Sequence, residues 1–212
     1  MTSRPRCSIA ATASLTIDRS HVASALFIID VQNDFTEGGA LGVTGGTAVA
    51  HAVTALLKDA PGRYDLVVAS RDWHDADNDN GGHFHAVPDF VQTWPVHCVA
   101  GSTGAEYNDG LDQAFIDVHV RKGQGKPAYS IFEGVTDDGE SVAELLDRRG
   151  ITAIDVVGIA TDYCVLASAL DAVRAGRSVR VLTALVAGVA PESSAAALET
   201  LAAAGVQLVA GA

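Results

Sequence analysis

The chain has 212 residues, of which 48% are hydrophobic and 19% charged, a length and composition typical of one globular domain with a sizeable core. Its formal net charge is -12, because 26 acidic residues outnumber 14 basic ones. Nucleic acids and anionic membranes bind basic surfaces, so this charge argues against both as partners. The three cysteines, Cys7, Cys98 and Cys164, fit neither a disulfide framework nor a CxxC zinc site, which favours a reducing cytoplasm.

The first 24 residues hold at most a weak version of the apolar segment of a signal peptide, since Ala, Thr and Ser dominate them. We predict that residues 1–24 form a disordered extension and that residues 25–212 form the single domain. No apolar run in the chain is long enough to span a bilayer.

Short apolar runs alternate with helical patterns along the rest of the chain. The runs predict six strands, at residues 25–31, 65–70, 115–120, 154–157, 179–182 and 206–209. Apolar residues at helical spacing predict four helices, at 47–57, from Val142 to Gly150, from Cys164 to Gly176, and at 191–204. This alternation predicts a single-domain, three-layer α/β/α fold with a mostly parallel six-stranded sheet.

Four chemically active residues stand at or just after the ends of predicted strands. Asp30 ends the first strand, Asp72 follows the second, Lys122 follows the third and Cys164 follows the fourth. Because ligands of such sheets bind beyond the carboxyl ends of the strands, we expect these residues to meet at one edge of the sheet.

Cys164 lies where a predicted strand passes into a helix. The unpaired N–H groups of a helix N-terminus favour negative charge, so we expect its thiolate to be stabilised there. The alternative is that Cys164 is simply a small buried residue, as most lone cysteines are.

The segment from Trp73 to about Asp109 carries no strand or helix pattern but holds four of the seven histidines. Asp72 and His74 stand two residues apart, followed by His83, His85 and His97. Imidazole and carboxylate are ligands of zinc, iron and manganese, so the segment predicts a metal site. The alternative is a chance cluster of surface histidines in a polar loop.

A carboxylate, a lysine and a thiol at one edge supply a base, a cation and a nucleophile. Asp30 could take the proton of Cys164 or of a later water, and Lys122 could hold that carboxylate. Backbone N–H groups of the turn before Cys164 could bind a developing oxyanion. This set of groups is typical of acyl transfer, most simply amide hydrolysis through a thioester.

Five stretches in order resemble the signature motifs of the nicotinamidase/pyrazinamidase group of isochorismatase-like cysteine hydrolases. They are DVQNDF at 30–35, DWH at 72–74, WPVHC at 94–98, KG at 122–123 and GIATDYCV at 158–165. Each motif alone is weak to moderate, but five in the same order are highly specific. The resemblance runs from about Ala25 to the C-terminus.

This resemblance implies an activity and a set of site residues. The implied activity is hydrolysis of nicotinamide to nicotinate and ammonia, and also of pyrazinamide, by a monomer or small homo-oligomer with one divalent zinc, iron or manganese ion. The implied residues are the triad Asp30, Lys122 and Cys164, the metal ligands Asp72, His74, His83 and His97, the ring-packing residues Phe35, Trp94 and Tyr129, and an oxyanion hole at Ala160 and Cys164. A cis peptide between Ile159 and Ala160 is also implied.

The sequence alone leaves three alternatives open. His85 is an alternative to His83, because both residues of an extended segment two positions apart could face an ion. A metal-free relative acting on a carbamoyl or ureido amide would use the same triad. A non-catalytic binding protein on the same fold is the remaining alternative.

Overall fold

A seven-stranded sheet runs through the computed structural model, which describes residues 22–211. The strands are β1 (Ser24–Ile29), β2 (Leu66–Asp72), β3 (Val118–Lys122), β4 (Val135–Thr136), β5 (Ala153–Ile159), β6 (Ser178–Ala187) and β7 (Gln207–Val209). Their order is β4-β3-β2-β1-β5-β6-β7, and every neighbouring pair is parallel except β3 and β4. The predicted mostly parallel α/β fold is therefore confirmed.

The seventh strand, β4, is absent from the six that the sequence predicted. It has two residues and pairs antiparallel with the end of β3 at the edge of the sheet. A strand this short shows no alternation of apolar and polar residues, so its pattern cannot be distinguished from that of a loop. Strand β6 is also longer than predicted, because it continues past Leu182 beyond a register shift against β5.

Four α-helices cover the sheet. They are α1 (Gly46–Asp59), α2 (Val142–Arg149), α3 (Leu166–Arg174) and α4 (Pro191–Ala203). Ser141 and Glu144 cap the start of α2 reciprocally, and Gly150 ends it with φ +66°. Pro191 occupies the first turn of α4, where its missing N–H costs nothing.

Side chains of β1 alternate between two apolar layers, one on each face of the sheet. Ala25, Phe27 and Ile29 pack with residues of α2, α3 and α4, whereas Leu26 and Ile28 pack with residues of α1. Successive residues of a strand point to opposite faces, so a continuous apolar run is what a strand buried on both faces requires. The predicted three layers follow from this packing.

The strand order reverses direction beside β1, since β2 and β3 extend to one side of it and β5, β6 and β7 to the other. The carboxyl ends of β1 and β5 therefore diverge into loops on opposite faces and leave a crevice. Asp30 follows β1, and the turn with Cys164 follows β5. Asp72 and Lys122 are register partners at the ends of β2 and β3, so the fold brings all four residues to this edge.

The segment between β2 and β3 contains no α-helix or strand, as predicted, and only two 3-10 turns. Isolated bridges order it, among them His74 with Val99 and Phe84 with Trp94. Within residues 22–211, no helix has the length and apolarity to cross a membrane. The predicted extension at residues 1–24 lies, up to residue 21, outside the described residues, and β1 begins at Ser24.

Candidate active site

The Lys122 ammonium lies at the centre of a buried group at the crevice. Its Nζ is 2.9 Å from Oδ2 of Asp30, donates a short hydrogen bond to Oδ1 of Asp72 and lies 3.6 Å from Sγ of Cys164. It also donates to the carbonyl of Ala128 at 3.3 Å. Lys122 is fully buried, so four partners replace the water that its charge has lost.

The charges of this group shift one another's pKa values. Burial raises the pKa of Asp30 above its ordinary value, against the opposing effect of Lys122. Burial would also raise the pKa of Asp72, but Lys122 and the neighbouring His74 hold it below its usual range. Burial alone would lower the pKa of Lys122, yet the two carboxylates keep it well above its ordinary value. The lysine is therefore charged at neutral pH.

Cys164 differs from the sequence-based expectation in one respect. It lies inside a turn of π-helix, Thr161–Val165, that precedes α3, and it is 7% exposed. Burial raises the pKa of its thiol well above the ordinary value, more than the Lys122 ammonium lowers it. Burial outweighs the effect of Lys122, contrary to the stabilised thiolate expected at the helix terminus, so the thiol needs a base.

Asp30 is held in an unusual backbone conformation beside that thiol. Its φ is +47°, in the left-handed region, and the Ser70 hydroxyl donates to its Oδ1 at 2.7 Å. Its Oδ2 is buried and, within the described part of the chain, accepts no hydrogen bond beyond the ion pair with Lys122. This oxygen is the one available to receive a proton. Sequence reasoning missed Ser70, although a polar residue in an otherwise apolar strand signals a buried role.

Three histidines gather beside Asp72. The ring centroid of His74 lies 4.8 Å from that of His83 and 4.9 Å from that of His97. One nitrogen from each of the three rings can be chosen so that all three lie within 4.8 Å of one another. Oδ2 of Asp72 is 3.6 Å from Nε2 of His74 and 3.8 Å from Nε2 of His97. The four predicted metal ligands are thus brought together at one point.

Hydrogen bonds orient two of these rings. Nδ1 of His74 lies 2.8 Å from the Gly123 carbonyl, and Nδ1 of His97 lies 2.8 Å from the Pro95 carbonyl. A carbonyl only accepts, so both Nδ1 atoms carry the proton and both Nε2 lone pairs point toward the group.

The facing nitrogens lack partners. Nε2 of His74 and Nδ1 of His83 are buried and make no hydrogen bond within residues 22–211. Burial lowers the pKa of His83 to about 4, helped by His74 and His97, and burial also lowers the pKa of His97. Partnerless imidazole nitrogens around a carboxylate fit a divalent metal ion.

His85 is not part of this group. Its side chain is exposed and contacts the backbone of Val87, with Nδ1 2.8 Å from the carbonyl oxygen. His83, by contrast, is 2% exposed. Of the two alternatives that spacing left open, the structure places only His83 beside His74 and His97.

A cavity of about 260 Å³ opens beside Cys164 and the histidines. The predicted site residues in its wall are Phe35, His83, Trp94, His97, Tyr129, Ala160 and Cys164. Asp30, Lys122, Asp72 and His74 do not line it and are buried. The cavity wall is therefore mostly apolar, and its chemically reactive groups are the Cys164 thiol and the imidazoles of His83 and His97.

Aromatic side chains form much of this wall. Nε1 of Trp94 donates to the Tyr129 hydroxyl at 3.0 Å, and Tyr163 stacks on Tyr129 with ring centroids 6.1 Å apart. The Tyr163 hydroxyl donates to the Phe90 carbonyl at 3.3 Å. Sequence reasoning did not select Tyr163 or Phe90 as site residues, because no local pattern shows that these two segments meet.

The turn between β5 and the cysteine has the expected backbone. The peptide bond between Ile159 and Ala160 is cis. The Ala160 carbonyl accepts from the N–H groups of Tyr163 and Val165, both at 3.1 Å, which closes the turn that presents Cys164. Gly158 could not carry a side chain here, because a Cβ would lie 2.1 Å from the Ile29 carbonyl oxygen.

Known proteins share this architecture. Residues 24–212 match the family model described as the isochorismatase domain. A Mycobacterium tuberculosis nicotinamidase/pyrazinamidase is 48% identical over 185 residues, which cover 87% of this chain and 97% of that protein.

Two solved structures are also similar. One is a pyrazinamidase of Pyrococcus horikoshii in complex with zinc, at 36% identity and a TM-score of 0.74, covering 88% of this chain and 98% of the other. The other is PnC1 from L. infantum in complex with nicotinate, at 37% identity and a TM-score of 0.76, covering 89% and 92%. The chain therefore belongs to the isochorismatase-domain family, and within it to the nicotinamidase/pyrazinamidase group of cysteine hydrolases.

Proposed function

We propose that this protein is a metal-dependent cysteine amidohydrolase that converts nicotinamide to nicotinate and ammonia, as in NAD salvage, and that also hydrolyses pyrazinamide. The observation that carries the proposal is the convergence of Asp30, Lys122 and Cys164 beside a cavity with two imidazoles in its wall. The M. tuberculosis relative that bears both activities in its name supports it.

The metal centre is the second part of the proposal. Asp72, His74, His83 and His97 would hold one divalent ion, which we propose to be zinc, iron or manganese. The zinc complex of the P. horikoshii relative and the partnerless nitrogens of His74 and His83 support it. When bound, the ion would act as a Lewis acid that holds the ring nitrogen of a pyridine amide. Two of its ligands, His83 and His97, line the cavity.

Asp30 and Cys164 perform the first half of the reaction. Oδ2 of Asp30 takes the thiol proton, and Sγ of Cys164 attacks the carboxamide carbon. Backbone N–H groups of Ala160 and Cys164 bind the oxyanion that forms. The C–N bond breaks, the proton on Asp30 passes to the nitrogen, and ammonia leaves a thioester on Cys164.

Water completes the cycle. Asp30, again ionised beside Lys122, takes a proton from a water that attacks the thioester carbon. The C–S bond breaks, the proton returns to the sulfur, and the carboxylic acid is released. Lys122 stays charged throughout, and its role is to hold Asp30 and to stabilise negative charge on the sulfur.

The aromatic wall selects the substrate. Phe35, Trp94 and Tyr129 would pack against a flat heteroaromatic ring, which fixes its carboxamide over the thiol. An engineered cavity of about 150 Å³ accommodates benzene. The 260 Å³ here suits one such ring with its carboxamide.

The alternatives fit less well. A metal-free hydrolase of carbamoyl or ureido amides would leave the buried nitrogens of His74 and His83 without partners, at a cost of roughly 1–3 kcal/mol each. A non-catalytic binding protein would not need a buried ion-paired lysine 3.6 Å from a thiol. We further propose a cytoplasmic monomer or small homo-oligomer that binds neither nucleic acid nor membranes, in line with the net charge of -12.

Ammonia release from nicotinamide, pyrazinamide and a ureido amide, with and without a chelator, tests the proposal. We expect turnover of the two aryl amides only, its loss in chelator and its recovery with added metal. Cys164→Ala should abolish turnover, whereas Cys98→Ala, the matched buried cysteine, should keep it. Wild-type turnover by Cys164→Ala would refute the thioester route.

A further inference from the structure

At the ends of strands β2 and β3, the two faces of the sheet carry different side chains. Asp72 and Lys122 are register partners, and their side chains meet at the candidate site. The preceding register pair, Arg71 and Arg121, must point to the other face, because successive strand residues alternate. Trp73 follows Asp72 and shares that outer face, since both guanidinium groups lie over its ring.

On the outer face, rings and guanidinium groups form layers that we name the Trp73 stack, comprising Tyr107, Arg71, Trp73 and Arg121. The guanidinium of Arg71 is 4.7 Å from the ring centres of both Tyr107 and Trp73, and that of Arg121 is 4.9 Å from Trp73. Within the described residues, Nε of each arginine is buried without a hydrogen-bond partner, as expected where ring faces cover a guanidinium.

Acidic side chains balance the two guanidinium groups. Glu106 pairs with Arg71 at 2.8 Å, and Asp137 pairs with Arg121 at 3.1 Å. Two like charges can therefore remain close to one indole. A half-buried tryptophan with two guanidinium groups over its ring has little freedom to rotate.

From this arrangement we propose that Trp73 is a positioning residue for the metal ligands on either side of it. The inference rests on the proposed metal centre. Strand β2 ends at Asp72, and the N–H of Trp73 makes a final bond to the Lys122 carbonyl. His74 lies beyond the strand, so the fixed indole sets the direction in which the backbone presents its imidazole.

Asp72 and His74 depend on the stack to different degrees. The Gln32 side chain accepts a hydrogen bond from the Asp72 N–H at 2.8 Å and donates one to the Asp72 carbonyl at 2.9 Å. The His74 backbone is likewise bonded, to Cys98 and Ala100, but its ring makes only one hydrogen bond within residues 22–211, to the Gly123 carbonyl. Loss of the stack should therefore displace the His74 imidazole more than the Asp72 carboxylate.

The test compares zinc affinity in variants of the full chain. Trp73→Leu removes the indole, Trp73→Phe keeps a ring for both guanidinium groups, and Arg121→Met removes one half-exposed cation. Phe115→Leu is the matched control, because Phe115 is a half-buried ring 6.0 Å from Lys58 and outside the candidate site. Zinc dissociation constants come from competition with a chelator, ligand geometry from the absorption spectrum of the cobalt-loaded protein, and folding from the melting temperature of the metal-free protein.

We expect Trp73→Leu to raise the zinc dissociation constant by about 10–100-fold, the usual range for partners that orient a metal ligand. Arg121→Met should raise it less, Trp73→Phe should restore most of the affinity, and Phe115→Leu should leave it unchanged. The cobalt spectrum should change in Trp73→Leu alone.

Unchanged affinity in both Trp73→Leu and Arg121→Met would overturn the inference, and so would an equal rise in Phe115→Leu. Failure of zinc to bind the unmodified protein would instead refute the metal centre and the inference with it.

Discussion

Gly123 links the proposed catalytic lysine to the proposed metal site, and replacing it by alanine is the sharpest perturbation that the site offers. Its φ is +86°, and its carbonyl accepts from Nδ1 of His74 at 2.8 Å. A Cβ on this residue would lie 2.6 Å from Cε1 and 2.8 Å from Nδ1 of His74. Real Cβ atoms do not approach other atoms so closely, so the imidazole has to move.

The magnitude follows from two contributions. An L-residue in the left-handed region costs about 1–2 kcal/mol of stability. Loss of the hydrogen bond to the displaced His74 costs about 1 kcal/mol more. The free energy of unfolding should therefore fall by about 2–3 kcal/mol, and zinc affinity should fall by about 10–100-fold because an orienting partner is lost.

Gly139→Ala is the matched control. Gly139 has the same φ of +86°, but a Cβ there would meet no atom within 4 Å. It should lose about 1–2 kcal/mol of stability through the backbone alone and keep full zinc affinity. Urea unfolding of the metal-free proteins and chelator competition measure the two quantities. Equal zinc affinities of Gly123→Ala and Gly139→Ala would show that the carbonyl does not orient His74.

Three further outcomes are expected. Mass spectrometry should show that His83→Ala loses bound metal and that His85→Ala keeps it. The opposite result would show that His85 is the ligand in place of His83. Ser70→Ala should lower kcat by about 10–150-fold with little change in KM, because a hydrogen bond to the Asp30 carboxylate is worth about 1.5–3 kcal/mol; an unchanged kcat would contradict this orienting role. Zinc at 100 times its dissociation constant should stabilise the unmodified protein by about 2.7 kcal/mol and should not stabilise His83→Ala. Equal stabilisation of the two proteins would exclude a metal site that includes His83.

Strong local patterns account for the parts of the fold that the sequence predicted. The run from Ala25 to Ile29 is apolar at every position, as a strand covered on both faces must be. The position of Asp30 after that strand then placed it at the carboxyl edge. β4 and the π-turn around Cys164 escaped prediction because two residues or one turn give too short a pattern to recognise.

The metal loop shows a different limit of sequence reasoning. His83 and His85 lie two positions apart, so an extended backbone points both imidazoles the same way but advances by roughly 6.6 Å between them. Spacing alone therefore allows either ring to face an ion together with those of His74 and His97. Which one enters depends on where the loop is anchored, and that anchor is the long-range bridge between Phe84 and Trp94. Such a contact leaves no trace in local spacing.

The pKa of the thiol was mispredicted for a related reason. A helix terminus near Cys164 is visible in the sequence, but the depth at which the turn packs is not. Burial dominates the pKa of a group that has lost its water, and here it outweighs the opposing effect of Lys122.

Asp72 makes the two halves of the site one electrostatic unit. One of its oxygens accepts from Lys122, and the other faces the Nε2 atoms of His74 and His97. Asp30 and Asp72 carry two negative charges against the single positive charge of Lys122, all of them buried. An uncompensated buried charge costs several kcal/mol, and a cation beside the outer oxygen of Asp72 would offset it. The same carboxylate therefore serves the proposed metal and holds the lysine that faces the thiol, so no substitution at Asp72 can disturb one half and spare the other.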